Sequence, residues 1–128
     1  MTDRNALLAA FTRAWAAKDL DGLMDLMAPD CEFRSSVGPE PGGVFLGRDE
    51  VRRGFALYLG PVGAPSVAVD NALDLVEDQF AVTRWTTRTQ QQDGSFTEVR
   101  ACDIFEFSGD LIRTKDTYRK VLGSLPSS

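Results

Sequence analysis

Three charged residues, Arg84, Asp103 and Asp116, fall where strand geometry would gather them on one buried face. Two turn signals set that register. If Asp93-Gly94 is a two-residue hairpin loop, Gln92 faces Ser95 and Arg84 faces Asp103; if Gly109-Asp110 is another, Ser108 faces Leu111 and Asp103 faces Asp116. Period-two alternation makes Val99, Ala101, Asp103, Phe105 and Phe107 one face, apolar except for its single carboxylate. Two carboxylates standing opposite each other repel unless they share a proton or a cation lies between them, and Arg84 is placed to be that cation. In an apolar pocket such a set does acid/base work: burial keeps one carboxyl protonated while the arginine keeps the other ionised. The alternative is an ion triad that fixes strand register and does no chemistry. A one-residue bulge at Asp93-Gly94 would remove Arg84 from this face and substitute Trp85. Alternation sends Lys115, the neighbour of Asp116, to the opposite face.

What the chain lacks narrows the chemistry further. It contains no histidine, which excludes a Ser-His-Asp triad, a Cys-His pair, a histidine-rich zinc helix and an imidazole base. Cys31 and Cys102 show no Cys-x-x-Cys spacing and read as free thiols. No glycine motif that cradles phosphate is present, so no cofactor and no metal are expected. The net charge of −5 gives no footprint for nucleic acid or an anionic membrane. No apolar run approaches the roughly eighteen residues a membrane span needs, and no leader opens the chain, so a cytoplasmic protein is expected.

The elements that must hold the three charges follow from apolar spacing. The 128 residues fit one domain, 1–128. Leu7, Leu8, Phe11, Ala14 and Trp15 recur at helical spacing between Arg4 and Lys18. Asp19 can cap a second short helix with Leu20, Leu23, Met24 and Met27, closed at Pro29. Cys31 to Val37 reads as strand, and Gly38 to Gly43, with Pro39 and Pro41, as a connecting loop. Gly47 or Asp49 starts a third helix with Val51, Phe55 and Leu59 inward, ended by Gly60, Pro61, Gly63 and Pro65. Four strands follow, Val67–Val76, Phe80–Gln91, Phe96–Phe107 and Leu111–Val121, too closely spaced to hold crossover helices. The fold class is α+β, with N-terminal helices covering one face of a curved antiparallel sheet.

The helical hairpin with Asp19-Leu20-Asp21-Gly22-Leu23, the strand at Cys31-Glu32-Phe33, the segment Phe45 to Val51 and the ending Asp103-Ile104-Phe105-Glu106-Phe107 through Tyr118 come in a specific order. In that order the chain resembles the nuclear-transport-factor-2-like superfamily, in its SnoaL-like and ketosteroid-isomerase-like branch. The resemblance implies a cone-shaped α+β barrel enclosing an apolar pocket, and a homodimer packed through the outer sheet face. Asp103 matches the protonated Asp of the ketosteroid isomerases, whereas that family's base and oxyanion Tyr fall on Ser35 and Phe11. In the limonene-epoxide-hydrolase-like branch the Arg falls on Arg84 and one Asp on Asp116. The second Asp of that branch becomes Thr86, and its water-holding Tyr and Asn become Phe33 and Ser35. In SnoaL-like cyclases the acid/base carboxylate is equivalent to Asp116.

The sequence therefore leads to two expectations. One is a small cofactor-free enzyme, of isomerase, cyclase or epoxide-hydrolase type, acting on an apolar small molecule. Asp116 is its base, Asp103 its acid or oxyanion donor, and Arg84 holds the charge. Tyr118, Thr86 and Ser35 bring hydroxyls to the ligand, and Phe11, Trp15, Phe33 and Phe55 line its cavity or simply fill the core. The other is a binding or accessory domain with a structural triad. Trp85, Thr87, Cys102, Ile104 and Lys115 form the outer sheet face in either case.

Overall fold

A computed structural model describes residues 3–39, 42–60, 66–121, 123 and 125–126, with the backbone alone for 66–74. Pro41, Pro61, Gly63 and Pro65, expected in loops, lie outside the described residues. The order is α1 (Arg4–Ala16), α2 (Leu20–Asp25), β1 (Met27–Arg34), β2 (Val44–Leu46), α3 (Gly47–Leu59), β3 (Ser66–Val76), β4 (Phe80–Gln90), β5 (Phe96–Ser108) and β6 (Leu111–Arg119). The six strands form one curved, unclosed sheet in the order β2-β1-β6-β5-β4-β3. The expected α+β class is what is found, with the three helices against the sheet.

Local chemistry explains the element ends. Asp3 caps α1 by accepting from the Asn5 amide at 2.9 Å, and Asp19 caps α2 by accepting from the Gly22 amide at 3.0 Å. The helix α2 stops at Asp25, earlier than expected, because Met27 and Pro29 already belong to β1. The β1/β6 register shifts between Met27 and Glu32, and Pro29 sits in that irregular stretch, where a strand tolerates a residue without an amide hydrogen. β1 also joins β6 in parallel, where the turn-linked strands expected from sequence are all antiparallel. Short β2, which falls between the expected loop Gly38 to Gly43 and the third helix, pairs with β1 through Phe33 opposite Phe45.

The core lies between the helices and the inner sheet face. Leu7, Phe11, Leu23, Met27, Phe33, Val51, Phe55, Phe105 and Ile112 are all buried there. Phe55 meets Phe11, Trp15 and Phe33 edge-on, with centroids 5.0–6.0 Å apart, a geometry that adds to plain area burial. Gly54 lets α3 approach this cluster: a Cβ there would stand 2.8 Å from the Phe45 ring and 2.9 Å from Phe33.

Two backbone features decide which side chains look inward. In the β4/β5 hairpin Gln91 faces Ser95, so the loop holds three residues, Gln92, Asp93 and Gly94. Only Gly94 has positive φ, at +88°, whereas a two-residue type I′ turn needs two such residues. In the β5/β6 hairpin Ser108 faces Leu111 and Phe107 faces Ile112, as expected, but the register then shifts by one at Glu106/Phe107. A one-residue slip turns every later side chain to the other face.

Candidate functional site

The two slips rebuild the surroundings of Asp103. Thr83, not Arg84, stands opposite it on β4, and Thr117, not Asp116, stands opposite it on β6. Arg84 pairs with Cys102 and Asp116 with Ile104, so both lie on the outer face of the sheet. The expected Arg84, Asp103 and Asp116 constellation is therefore not formed. Trp85 takes the place of Arg84, and Lys115 is turned inward to become the cation.

Asp103 accepts three hydrogen bonds. Lys115 Nζ donates to Oδ1 at 3.0 Å, Thr117 Oγ1 donates to the same oxygen, and Trp85 Nε1 donates to Oδ2 at 2.8 Å. Lys115 Nζ also donates to Thr117 Oγ1 at 2.7 Å. The ammonium lies 4.8 Å from the centroid of Trp15 and 5.0 Å from that of Phe33, within cation–π range. The Lys115 and Asp103 side chains are only 5% and 7% exposed. A buried ion pair persists only with its remaining valences satisfied, and these contacts satisfy them.

Asp103, Lys115 and Trp85 form part of the wall of a cavity of about 460 Å³ between α1 and the sheet, and Thr117 lies outside its lining. Asn5, Ala9, Thr12, Arg13 and Ala16, spaced as one face of α1, line one side, and Thr83, Trp85 and Thr87 of β4 line another. Phe11, Trp15 and Phe105 supply apolar wall, while Phe33 and Phe55 sit in the core behind it. Such a volume lies within the range of small-molecule sites.

The remaining expected site residues gather elsewhere. A second cleft, of about 600 Å³, opens beside Glu32, Arg34, Ser35, Asp116 and Tyr118. Arg34 pairs with Glu32 and reaches Asp116 at 3.8 Å, and the Tyr118 hydroxyl donates to Asp116 at 3.2 Å. The Asp116 charge and that hydrogen bond raise the Tyr118 phenol above its usual value, and Glu32 does the same for Arg34. Ser35 Oγ donates to the carbonyls of Val37 and Gly43 and closes the 35–43 loop. Thr86 lies opposite Arg100, on the outer face. The outer face expected from sequence loses Trp85, Thr87 and Lys115 to the cavity and keeps Cys102 and Ile104. Among the described residues no group of three or more Cys, Asp or Glu is close enough to hold a metal, and no helix is long and apolar enough to cross a membrane.

Sequence reasoning missed Lys115 and Thr117, because nothing in Leu111 to Arg119 marks the bulge. For Trp85 a signal existed: Asp93 accepts from the Ser95 amide at 2.9 Å and from its hydroxyl, a turn contact for which Asp-Gly-Ser is suited.

Comparison with known proteins bears on this geometry. The family model of the SnoaL-like domain matches residues 8–114. No curated protein matches the chain. Among solved structures, an NTF2-like protein from Anabaena variabilis ATCC 29413 superposes with a TM-score of 0.78 at 17% identity, over 96% of each chain. The epoxide hydrolase/cyclase-like enzyme SalBIII, described for pyran ring formation in the polyether salinomycin, gives 0.74 at 14% identity, over 91% of this chain and 90% of its own. A protein with a ketosteroid isomerase-like fold from Catenulispora acidiphila DSM 44928, in complex with trimethylamine, gives 0.68 at 13% identity, over 92% and 86%. At these identities the likeness is one of fold.

Proposed function

Because the chain belongs to the SnoaL-like domain family, and its fold here holds a cavity lined by both apolar and polar side chains, we propose that it is an acid/base enzyme acting on an apolar small molecule bound beside Asp103. The observation that carries this reading is the buried Lys115–Asp103 ion pair on the cavity wall. Carboxylates with charged partners in clefts are where acid/base chemistry is found. Asp103 is the base. When it takes a proton from the ligand its own charge is neutralised, and the Lys115 ammonium is left to stabilise the anion that forms. Trp85 and Thr117 hold the carboxylate in place through that change. The fold shared with an epoxide hydrolase/cyclase-like enzyme supports an isomerase, cyclase or epoxide-opening reaction.

A second reading is favoured by one observation. Among the described residues no buried side-chain nitrogen or oxygen lacks a hydrogen-bond partner, which suits a ligand-binding domain whose ion pair is structural. Under either reading the single domain 1–128 is cytoplasmic and pairs with a second copy through the outer sheet face around Ile104, Cys102 and Tyr118. Sedimentation of wild type and Ile104→Glu tests the pairing.

Deuterium wash-in from D₂O into an apolar ketone, followed by NMR, separates the two functional readings. Saturable exchange that Asp103→Asn lowers by about 10²- to 10⁴-fold, with ketone binding retained, supports the enzyme. Ketone binding without exchange above buffer supports the binding domain.

A further inference from the structure

Lys115 is a singular lysine. The chain carries eleven arginines and three lysines, Lys18, Lys115 and Lys120. Buried ion pairs favour arginine, whose fork matches a carboxylate and whose charge is permanent. Here the buried cation is a lysine on a cavity wall, packed against the Trp15 and Phe33 rings with Asp103 3.0 Å from its nitrogen. An amine differs from a guanidinium in one chemical respect that matters here: once deprotonated it is a nucleophile.

We propose that Lys115 forms an imine with a carbonyl ligand, an aldehyde or ketone with an apolar body, with Asp103 carrying the protons. This rests on the reading of the cavity as the ligand site and names the ligand's reactive group. Asp103 Oδ1 takes a proton from the ammonium, which frees the nitrogen lone pair. That pair forms the N–C bond as the carbonyl π pair moves to oxygen, and Asp103 returns its proton to that oxygen. Asp103 then takes a second proton from nitrogen and delivers it to the hydroxyl, which leaves as water as the C=N bond forms. The ammonium and the carbonyl compound become an iminium and one water, with charge and protons conserved. Thr117, bonded to both partners, holds them together through both transfers.

The test is reductive trapping of wild-type protein with benzaldehyde and cyanoborohydride, which delivers hydride to the iminium carbon and leaves a benzyl-amine. Peptide mass mapping compares Lys115 with Lys120, which is exposed, and with Lys18 at the cavity rim. The expected result is benzylation of Lys115 about tenfold faster than of either other lysine, abolished in Lys115→Arg and slowed in Asp103→Asn. Labelling of Lys115 no faster than of Lys120 overturns the proposal. Deuterium wash-in that is lost in Asp103→Asn but unaffected by Lys115→Arg also overturns it, while leaving the acid/base reading of the cavity standing.

Discussion

The two faces of β6 carry nearly the same chemistry and put it to different physical use. Inward, Lys115 and Asp103 form a charge pair whose side chains are 5% and 7% exposed. Outward, one residue along, Asp116 meets an Arg34 side chain that is 50% exposed. The first pair is held among aromatic rings on the cavity wall, and the second joins a half-exposed arginine to an aspartate whose side chain is 18% exposed. A buried pair is costly to form and very costly to break, whereas an exposed pair contributes little either way. The lesson is that side-chain type did not decide the surroundings of these carboxylates. A single-residue slip in the strand did.

The largest expected effect follows from breaking the inner pair. Lys115→Met leaves Asp103 buried without a cation and should cost about 3–5 kcal/mol in urea unfolding. The matching outer change, Arg34→Met, should cost no more than about 1 kcal/mol. Replacing both inner partners, as Lys115→Met with Asp103→Leu, should recover most of the loss, because no uncompensated charge remains.

Trp85→Phe is the next step down. It keeps the ring and removes the Nε1 donor to Asp103, with an expected cost of about 1–3 kcal/mol. The same change at an outer position would remove no buried bond. This variant also tests the register itself: had Arg84 faced Asp103, Trp85→Phe would change little.

Much of the fold is legible in the sequence. The apolar spacing of Leu7, Leu8, Phe11 and Trp15, the cap at Asp19 and the turn residues between strands carry it, since each acts within a few residues. Asp103 is legible too, as the one carboxylate in an apolar stripe. Its partners Lys115 and Thr117 are not, and Trp85 is marked only by the Asp93-Gly94-Ser95 turn, because they depend on two insertions of a single residue. Asp93-Gly94 suits a two-residue loop as well as the three-residue loop observed, and the slip at Glu106/Phe107 lies against β6, a strand that pairs with β1 as well as with β5. Such packing is a property of distant segments and leaves no local mark. β2 is invisible for a related reason: three residues of strand gain their pairing only from β1.

Smaller effects sharpen the contrast at the outer face. Asp116→Asn removes the charge that raises the Tyr118 phenol, so tyrosinate absorbance should appear at lower pH than in wild type. Added salt should shrink the difference, because these groups are solvated. The thiols give the least effect. Burial raises Cys31 and Cys102 above the ordinary thiol range, with the charges of Asp103 and Asp116 adding to it at Cys102. Both should react slowly with a disulfide reagent near neutral pH, Cys31 the more slowly because it is fully buried. A thiol raised in the folded state lends stability that is complete below its unfolded value. That stability is lost as pH rises through the folded value, so the unfolding midpoint should fall at alkaline pH and fall less in Cys31→Ala.

The inner pair as the working pair is tested most directly by deuterium wash-in into one apolar ketone, measured in parallel for Asp103→Asn and Asp116→Asn. The expected result is a loss of about 10²- to 10⁴-fold for Asp103→Asn and of less than about threefold for Asp116→Asn. A larger loss at Asp116, with Asp103→Asn close to wild type, would contradict it and return the chemistry to the outer cleft.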